Sequence, residues 1–394
     1  MTLFFKVMLT KLILLYLPDI LNFPNKTMGV CKICGKESKF ISSFLGLCLD
    51  CILTNKEAKK ISLEVHAKSR REFNLPERIP KSKDGITCGI CGNKCKIGKG
   101  EKGFCGLVEN VDGKLVRRAG TPDKGLCEWY YDAHVTNCVA SWVCPAGTGC
   151  GYPKYAYSKG PEYGFYNLAV FYGTCNFNCL FCQNWHFREN VKRLTPIISA
   201  EDLANKVNEK VSCICFFGGD PGPQLLHAIE TSRIAIENAK GRILRVCLET
   251  NGNHNELLLK KFAKLALDSG GVIKFDIKAF NENLSFALSG VSNKTTLKNF
   301  KMLVKFHKKR PEVPFLHAST LLIPGYVSLE EIEKISEFIA NLDPSIPYSL
   351  LAFYPTFLMK DLPFTSKEFA IKAYKIAKEK GLEKVRIGNV HLLR

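Results

Sequence analysis

From Asn167 onward, short apolar runs alternate with longer stretches in which apolar residues recur every three or four positions. The short runs are Asn167–Tyr172, Cys213–Phe217, Ile243–Leu248, Val272–Asp276, Leu316–Leu322 and Tyr348–Phe353. Their length and their content of branched and aromatic residues predict buried strands. The longer stretches, Ala200–Glu209, Gln224–Ala239, Asn255–Asp268, Thr296–Lys308 and Leu329–Ala340, predict amphipathic helices. Alternation of this kind implies a parallel sheet, because each helix carries the chain back to the start of the next strand. Functional side chains are then expected at the carboxyl ends of the strands.

Before Asn167 the alternation gives way to cysteine. The chain has 394 residues, 18 cysteines and 46% hydrophobic residues, enough for a sizeable core and incompatible with wholesale disorder. A secreted disulfide scaffold is normally small, and here the cysteines fall in pairs with metal-ligand spacing. A reducing, cytoplasmic setting follows as an expectation. The net charge of +19 suits an acidic partner such as nucleic acid. A lysine-rich solvated surface explains it equally and is the favoured reading, so nucleic acid stays an unfavoured partner.

Five segments are expected. Residues 1–27 are an apolar extension broken by Lys6, Lys11, Pro18 and Asp19. Its uninterrupted run, Leu12–Leu17, is too short to span a bilayer, so no membrane role is expected. No small-residue cleavage site follows it, and a start at Met28 is favoured. Residues 28–54 hold Cys31, Cys34, Cys48 and Cys51 as two C-x2-C knuckles, the spacing of a tetrahedral four-thiolate zinc site. Residues 55–84 predict a charged, solvated helix and a linker. Residues 85–160 are cysteine-rich, and residues 161–394 carry the strand–helix alternation.

Within 85–160, Cys88, Cys91, Cys95 and Cys105 are four further thiols, and zinc or an iron–sulfur cluster both fit their spacing. Val108–Leu115 predicts a hairpin turning at Asp112-Gly113. Cys127, Cys138, Cys144 and Cys150 follow without a familiar spacing. They read either as an auxiliary iron–sulfur site or as scattered buried thiols.

The most informative stretch is Tyr172-Gly-Thr-Cys-Asn-Phe-Asn-Cys-Leu-Phe-Cys182, directly after the first strand. Cys175, Cys179 and Cys182 are spaced C-x3-C-x2-C. Iron–sulfur cubes usually take four cysteines, so three leave one iron open, as a catalytic metal site requires.

This loop resembles the signature of the radical S-adenosylmethionine (SAM) superfamily. The agreement continues at the strand ends. Phe217-Gly-Gly-Asp-Pro-Gly222 resembles the family's G-G-E-P element, with Asp220 in place of glutamate. Leu248-Glu-Thr-Asn-Gly252 and Lys274-Phe-Asp-Ile-Lys278 resemble its D/E-T-N-G and D-x-K elements. Cys88, Cys91, Cys95, Ile97, Gly100, Gly103, Cys105 and Gly106 match a C-x-x-C-x-x-x-C-x-I-x-x-G-x-x-G-x-C-G pattern. That pattern belongs to relatives of pyruvate formate-lyase activating enzyme, above all the radical SAM proteins of the AmmeMemoRadiSam system. Tyr354 stands where those relatives carry a histidine.

The resemblance implies a partial (β/α)6 barrel and a 4Fe-4S cluster on Cys175, Cys179 and Cys182. SAM would bind the open iron with Phe181 near its adenine. Gly218, Gly219, Asp220 and Pro221 would hold its amino group, and Glu249 and Asn251 its ribose and carboxylate. Asp276 and Lys278 line the cavity or form an ion pair. Reductive cleavage of SAM would give a 5′-deoxyadenosyl radical for hydrogen abstraction from a protein or small molecule, with an external electron donor. In the namesake enzymes the target is a glycine of a partner enzyme. An oxygen-sensitive open cluster further implies an anaerobe. Two other readings remain: modification of RNA or a metabolite, and a non-enzymatic metal- or nucleic-acid-binding protein.

Overall fold

The computed structural model describes residues 28–394, and the apolar stretch at 1–27 lies outside the described residues. Nine strands form one sheet: β1 (Gly125–Ala133), β2 (Tyr166–Tyr172), β3 (Ile197–Ile198), β4 (Val211–Gly218), β5 (Arg245–Thr250), β6 (Ile273–Asp276), β7 (Leu316–Leu322), β8 (Tyr348–Ala352) and β9 (Val385–Gly388). Their spatial order is β9-β8-β7-β6-β5-β4-β2-β1-β3. The run from β2 to β9 is parallel throughout. β1 pairs antiparallel with β2, and β3 with β1. The sheet does not close on itself, as expected for a partial barrel.

All six strands read from the sequence are present. β9 is an additional parallel strand of four residues, too short to show a period. β1 was also missed, because its Trp129-Tyr-Tyr131 run does not alternate.

Side chains on successive strand residues point to opposite faces. Ile214, Phe216, Val246, Leu248, Ile273, Phe275, Ala318 and Leu350 all enter the main apolar core. The longer helices are α1 (Lys56–Arg71), α2 (Leu225–Asn238), α3 (Glu256–Ser269), α4 (Glu282–Ser289), α5 (Lys294–His307), α6 (Leu329–Leu342) and α7 (Lys367–Glu379). Helix starts are fixed by side-chain caps: Asn255 on α3, Asn281 on α4, Ser328 on α6 and Ser366 on α7. The other parity carries Cys215, Cys247, Glu249, Lys274, Asp276, His317, Ser319 and Ser349. One face of the sheet is therefore hydrocarbon and the other is polar and thiol-rich. The predicted helix Ala200–Glu209 stops at Ala204.

The segment between β1 and β2 runs along the polar face. Trp142 Nε1 donates to Ser349 Oγ at 3.1 Å. Further on, Glu162 forms a two-pronged ion pair with Arg245, at 2.8 and 2.5 Å. Both side chains are buried, and Ser212 Oγ and Tyr157 N–H donate to the same carboxylate. This pair sits at the amino ends of β4 and β5, the end of such sheets that serves stability. Removing one partner strands a buried charge. Glu162→Ala is expected to cost about 3–5 kcal/mol by urea unfolding; a loss below about 1 kcal/mol, the range of an exposed pair, would contradict the assignment.

The solvated helix expected within 55–84 is α1, and it is not solvated on all sides. Val65, His66, Ala67, Ser69 and Arg70 are buried. His66 Nε2 bonds the Ala287 carbonyl at 3.1 Å. The four-cysteine segment before it docks through Tyr326, whose hydroxyl accepts from Ser42 N–H at 2.9 Å and donates to the Leu47 carbonyl at 3.1 Å. Among the described residues, no helix is long and apolar enough to cross a membrane.

Candidate functional site

The loop after β2 is held from three sides. Asn178 N–H and Leu180 N–H donate to the Ser289 and Leu288 carbonyls at the end of α4, at 2.9 and 3.0 Å. Thr174 Oγ1 donates to the Cys105 carbonyl at 2.6 Å. The Asn178 amide donates to Ser69 Oγ on α1 at 2.7 Å and accepts from Arg188 at 3.0 Å. α1 thus buttresses the loop, a role its lysine-rich sequence conceals.

The Gly218-Gly219 turn continues the pairing of β2 with β4. Gly219 N–H donates to the Tyr172 carbonyl at 2.9 Å, and Asp220 N–H to the Thr174 carbonyl at 2.7 Å. Gly218 has φ +107°, and a Cβ on Gly219 would overlap the Thr174 carbonyl oxygen. The two glycines are what lets the turn lie against the cysteine loop. Gly219→Ala is expected to displace that loop and lower turnover about a hundredfold. The check is the rate of 5′-deoxyadenosine formation in Gly219→Ala beside exposed Gly241→Ala; equal rates would contradict it.

A cavity of about 330 Å3 opens at the carboxyl ends of the strands. Cys175, Cys179, Cys182, Phe181, Gly218, Gly219, Asp220, Glu249, Asn251, Asp276 and Lys278 all line it. Of the residues expected around the ligand, only Pro221 does not; it begins the short turn at Gly222–Gln224. The volume suits a small ligand.

Asp220 reaches the cavity, but its oxygens are engaged. Oδ1 accepts from Gly222 N–H at 2.7 Å; Oδ2 accepts from Asn251 N–H at 2.7 Å and Thr250 Oγ1 at 2.9 Å. Burial pushes its carboxyl up to about 6, against the pull of those three donors. Asp220 ties the end of β4 to the end of β5. Asn251 in turn donates to Asn176 Oδ1 at 2.7 Å, inside the cysteine loop.

Lys278 pairs with Asp276 and lies 5.5 Å from the centre of the Phe181 ring. Asp276 Oδ1 is buried without a hydrogen-bond partner. An orphaned carboxylate oxygen, a cation, an aromatic ring and three thiols around one cavity fit a cluster together with the amino, carboxylate and adenine groups of SAM. Burial pushes the Cys179 thiol up to about 11, with Lys278 opposing.

The sequence passed over Lys274. It is buried and donates to the thiols of Cys138 and Cys215, both at 3.1 Å, and pairs with Glu249 at 3.3 Å. The signal was available: Lys274 and Asp276 alternate on one face of β6, and Lys278 follows two residues past its end. Asn137, Val139 and Asn389 also line the cavity, from segments with no recognised motif. His317 is a packed histidine, bonded to Ser349 Oγ at 3.1 Å beside Trp142.

Cys31, Cys34, Cys48 and Cys51 bring their sulfurs within 4.8 Å of one another, and Cys34 and Cys48 are 3.7 Å apart. A tetrahedral ion with bonds of about 2.3 Å sets sulfurs roughly 3.8 Å apart, so the set has single-zinc geometry. It is the only such group among the described residues. Cys127, Cys138, Cys144 and Cys150 do not assemble as one set. Cys127 faces the Gly125 carbonyl, Cys138 meets Lys274, Cys144 faces the Ser141 carbonyl and Cys150 the Val143 carbonyl. Cys127 lies in β1, whereas Cys138, Cys144 and Cys150 lie on separate turns of the segment that crosses the polar face. Cys213 and Cys215 are buried, and their thiols accept from Arg245 and Lys274.

The family model described as "Radical SAM superfamily" matches residues 169–339. The chain is 32% identical over 212 residues to a putative glycyl-radical enzyme activating enzyme of Methanocaldococcus jannaschii, covering 50% of this chain and 74% of that one. It is 27% identical over 332 residues to an uncharacterized protein of the same organism, covering 81% and 85%. Among solved structures, a domain of pyruvate-formate lyase-activating enzyme from Bacteroides vulgatus aligns at 22% identity, with TM-score 0.35, over 44% of this chain and 98% of that chain.

Proposed function

The chain belongs to the radical SAM superfamily, and from that premise we propose that it activates a partner protein by hydrogen abstraction, as its activating-enzyme relative is named to do. Cys175, Cys179 and Cys182 hold the 4Fe-4S cluster. When bound, the cluster and SAM together supply the reductive cleavage that yields methionine and a 5′-deoxyadenosyl radical.

The chain's own residues bind, orient and shield. Lys278 offers its charge to the SAM carboxylate, and Asp276 its free oxygen to the amino group. Glu249 accepts from the ribose hydroxyls, and Phe181 covers the adenine. Asp220 keeps the β4 and β5 ends in register, so that the Gly218-Gly219 backbone meets the ligand at a fixed distance. Lys274 holds Glu249 in place from below. Phe177, Phe187 and Phe217 line the rest of the cavity and limit water. Zinc at Cys31, Cys34, Cys48 and Cys51 fastens the amino-terminal segment to Tyr326, and a reducing cytoplasm is its setting.

The observation that carries this reading is the shared cavity of three thiols and the Gly218-Gly219 turn, locked together by the Tyr172 and Thr174 carbonyls. The test is anaerobic reconstitution with iron and sulfide, followed by dithionite and SAM. Equimolar 5′-deoxyadenosine and methionine are expected, with a glycyl radical on a co-incubated partner enzyme. SAM left intact would refute the chemistry. 5′-Deoxyadenosine without any protein radical, but with altered RNA or metabolite, would refute the choice of target.

A further inference from the structure

We propose that Cys88, Cys91, Cys95 and Cys105 hold a second iron–sulfur cluster, packed directly against the first cysteine loop. The spacing alone admits zinc equally well; the structure separates the two.

All four thiols are buried. Cys88 N–H donates to the Cys95 carbonyl at 2.8 Å, and the short pair of strands at Ile86–Thr87 and Lys96–Ile97 closes this knuckle. Gly106 N–H, donating to the Gly103 carbonyl at 2.8 Å, forms the turn that presents Cys105. The thiols lie near enough for Cys91 to sense the charge of the other three. Yet no three of the sulfurs fall within 4.8 Å of one another, whereas the Cys31 set does. One zinc ion needs that compact arrangement. A cube bonds each thiolate to its own iron and so holds them further apart. Cys175, Cys179 and Cys182 share the same open spacing.

The surroundings are cationic. Arg117 Nη2 lies 3.3 Å from Cys88 Sγ. Arg70, buried and stacked at 3.6 Å on Phe104, interacts electrostatically with Cys95, Cys105 and Cys175 together. Guanidinium groups beside four thiolates offset the net negative charge of a cube.

The position is the second argument. Cys88 and Cys95 share one buried apolar cluster with Cys175, Phe104, Phe177 and Phe187. Asn93 donates to the Asn176 carbonyl at 2.8 Å, and Thr174 to the Cys105 carbonyl at 2.6 Å. The two cysteine sets are thus in direct apolar and hydrogen-bonded contact. A cluster here accepts one electron from an external low-potential one-electron reductant and passes that electron to its neighbour. One electron enters and one leaves, and no proton or bond changes hands. This relay role rests on the function proposed above; occupancy of the site does not.

The test uses the full chain, purified anaerobically, with iron, sulfide and zinc analysis and Mössbauer spectroscopy. About eight irons and one zinc per chain are expected in the wild type, and about four irons in Cys175→Ala/Cys179→Ala/Cys182→Ala. Cys88→Ala/Cys91→Ala is expected to lose the complementary iron. An iron-free triple variant, or about two zincs per chain in the wild type, overturns the proposal. Iron lost only with the Cys88 set keeps this proposal and refutes the Cys175 assignment instead. Should a variant not fold, the reduced wild type decides: SAM is expected to perturb one of two electron paramagnetic resonance signals. A single signal, wholly shifted by SAM, overturns the second cluster.

Discussion

Cys179→Ala is expected to abolish 5′-deoxyadenosine formation, by at least about a thousandfold, or about 4 kcal/mol in barrier height. Cys179 lines the cavity between α4 and the cavity mouth, and its thiol lies 3.4 Å from Ser289 Oγ. On the proposed function, its removal takes away one of three anchors from a cluster that has no spare protein ligand. Partial activity is not expected, because ligands that act as a unit fail together. The contrast is Cys127→Ala. That thiol is more deeply buried than Cys179 and faces the Gly125 carbonyl, away from the cavity. Its loss removes a small packed group and leaves turnover intact. Liquid chromatography of anaerobic reactions reads both variants; comparable losses would mean that the C-x3-C-x2-C loop is not the reacting centre.

Stability is expected to fall steeply below about pH 6.5, through four buried histidines. Burial holds His66 and His227 down to about 4, and His254 and His317 down to about 3. Each is buried as the neutral ring. His66 bridges Asn178 and Ala287, His227 bridges Tyr172 and Ile198, His254 bonds Thr250 and His317 bonds Ser349. The unfolded chain takes up these protons near pH 6.5, and the native state refuses them until well below pH 5. More protons on the unfolded side mean that stability rises with pH across that window and is lost as pH falls. Each histidine contributes about 1.4 kcal/mol per pH unit there, so four lose on the order of 8 kcal/mol by pH 5. A typical domain has only about 5–15 kcal/mol in total. Urea unfolding of the metal-loaded protein at pH 8, 7, 6 and 5 reads this directly. A near-constant midpoint above pH 7 and a collapse below pH 6.5 are expected, with a shallower slope in His227→Gln. A midpoint unchanged from pH 8 to pH 5 would contradict the neutral burial of these rings.

Much of the barrel was legible because its strands are long, apolar and separated by amphipathic helices. The β7 boundaries, Leu316–Leu322, follow directly from the apolar run. The strand-end motifs were legible because a parallel sheet has a functional edge, and all but Pro221 of the predicted ligand contacts reach the cavity. What escaped had a physical cause in each case. α4 is eight residues long and starts right after a strand-end motif, so its pattern is brief. α7 is rich in lysine, and its fully buried residues are Ala370, Ala373 and Ala377, with Phe369, Tyr374 and Ile376 only partly covered. α1 buries His66, Ser69 and Arg70, polar residues that a hydrophobic pattern cannot count. Asp220 looked like a ligand contact from its motif, whereas its partners Thr250 and Asn251 come from the next strand end. Lys274 was legible as a charge on the polar face of its strand, but its partner Cys138 was not, because that thiol lies 136 positions away in the chain.

The proposed function turns on one centre: an iron without a protein ligand, which a cluster on Cys175, Cys179 and Cys182 would present to the cavity that Lys278 and Asp276 also line. Electron–nuclear double resonance of the reduced, reconstituted protein with SAM labelled by nitrogen-15 at the amino group and oxygen-17 at the carboxylate measures that centre directly. Strong nitrogen and oxygen couplings are predicted in the wild type, with the oxygen coupling weakened in Lys278→Ala. A reduced cluster whose spectrum carries neither coupling would contradict the account.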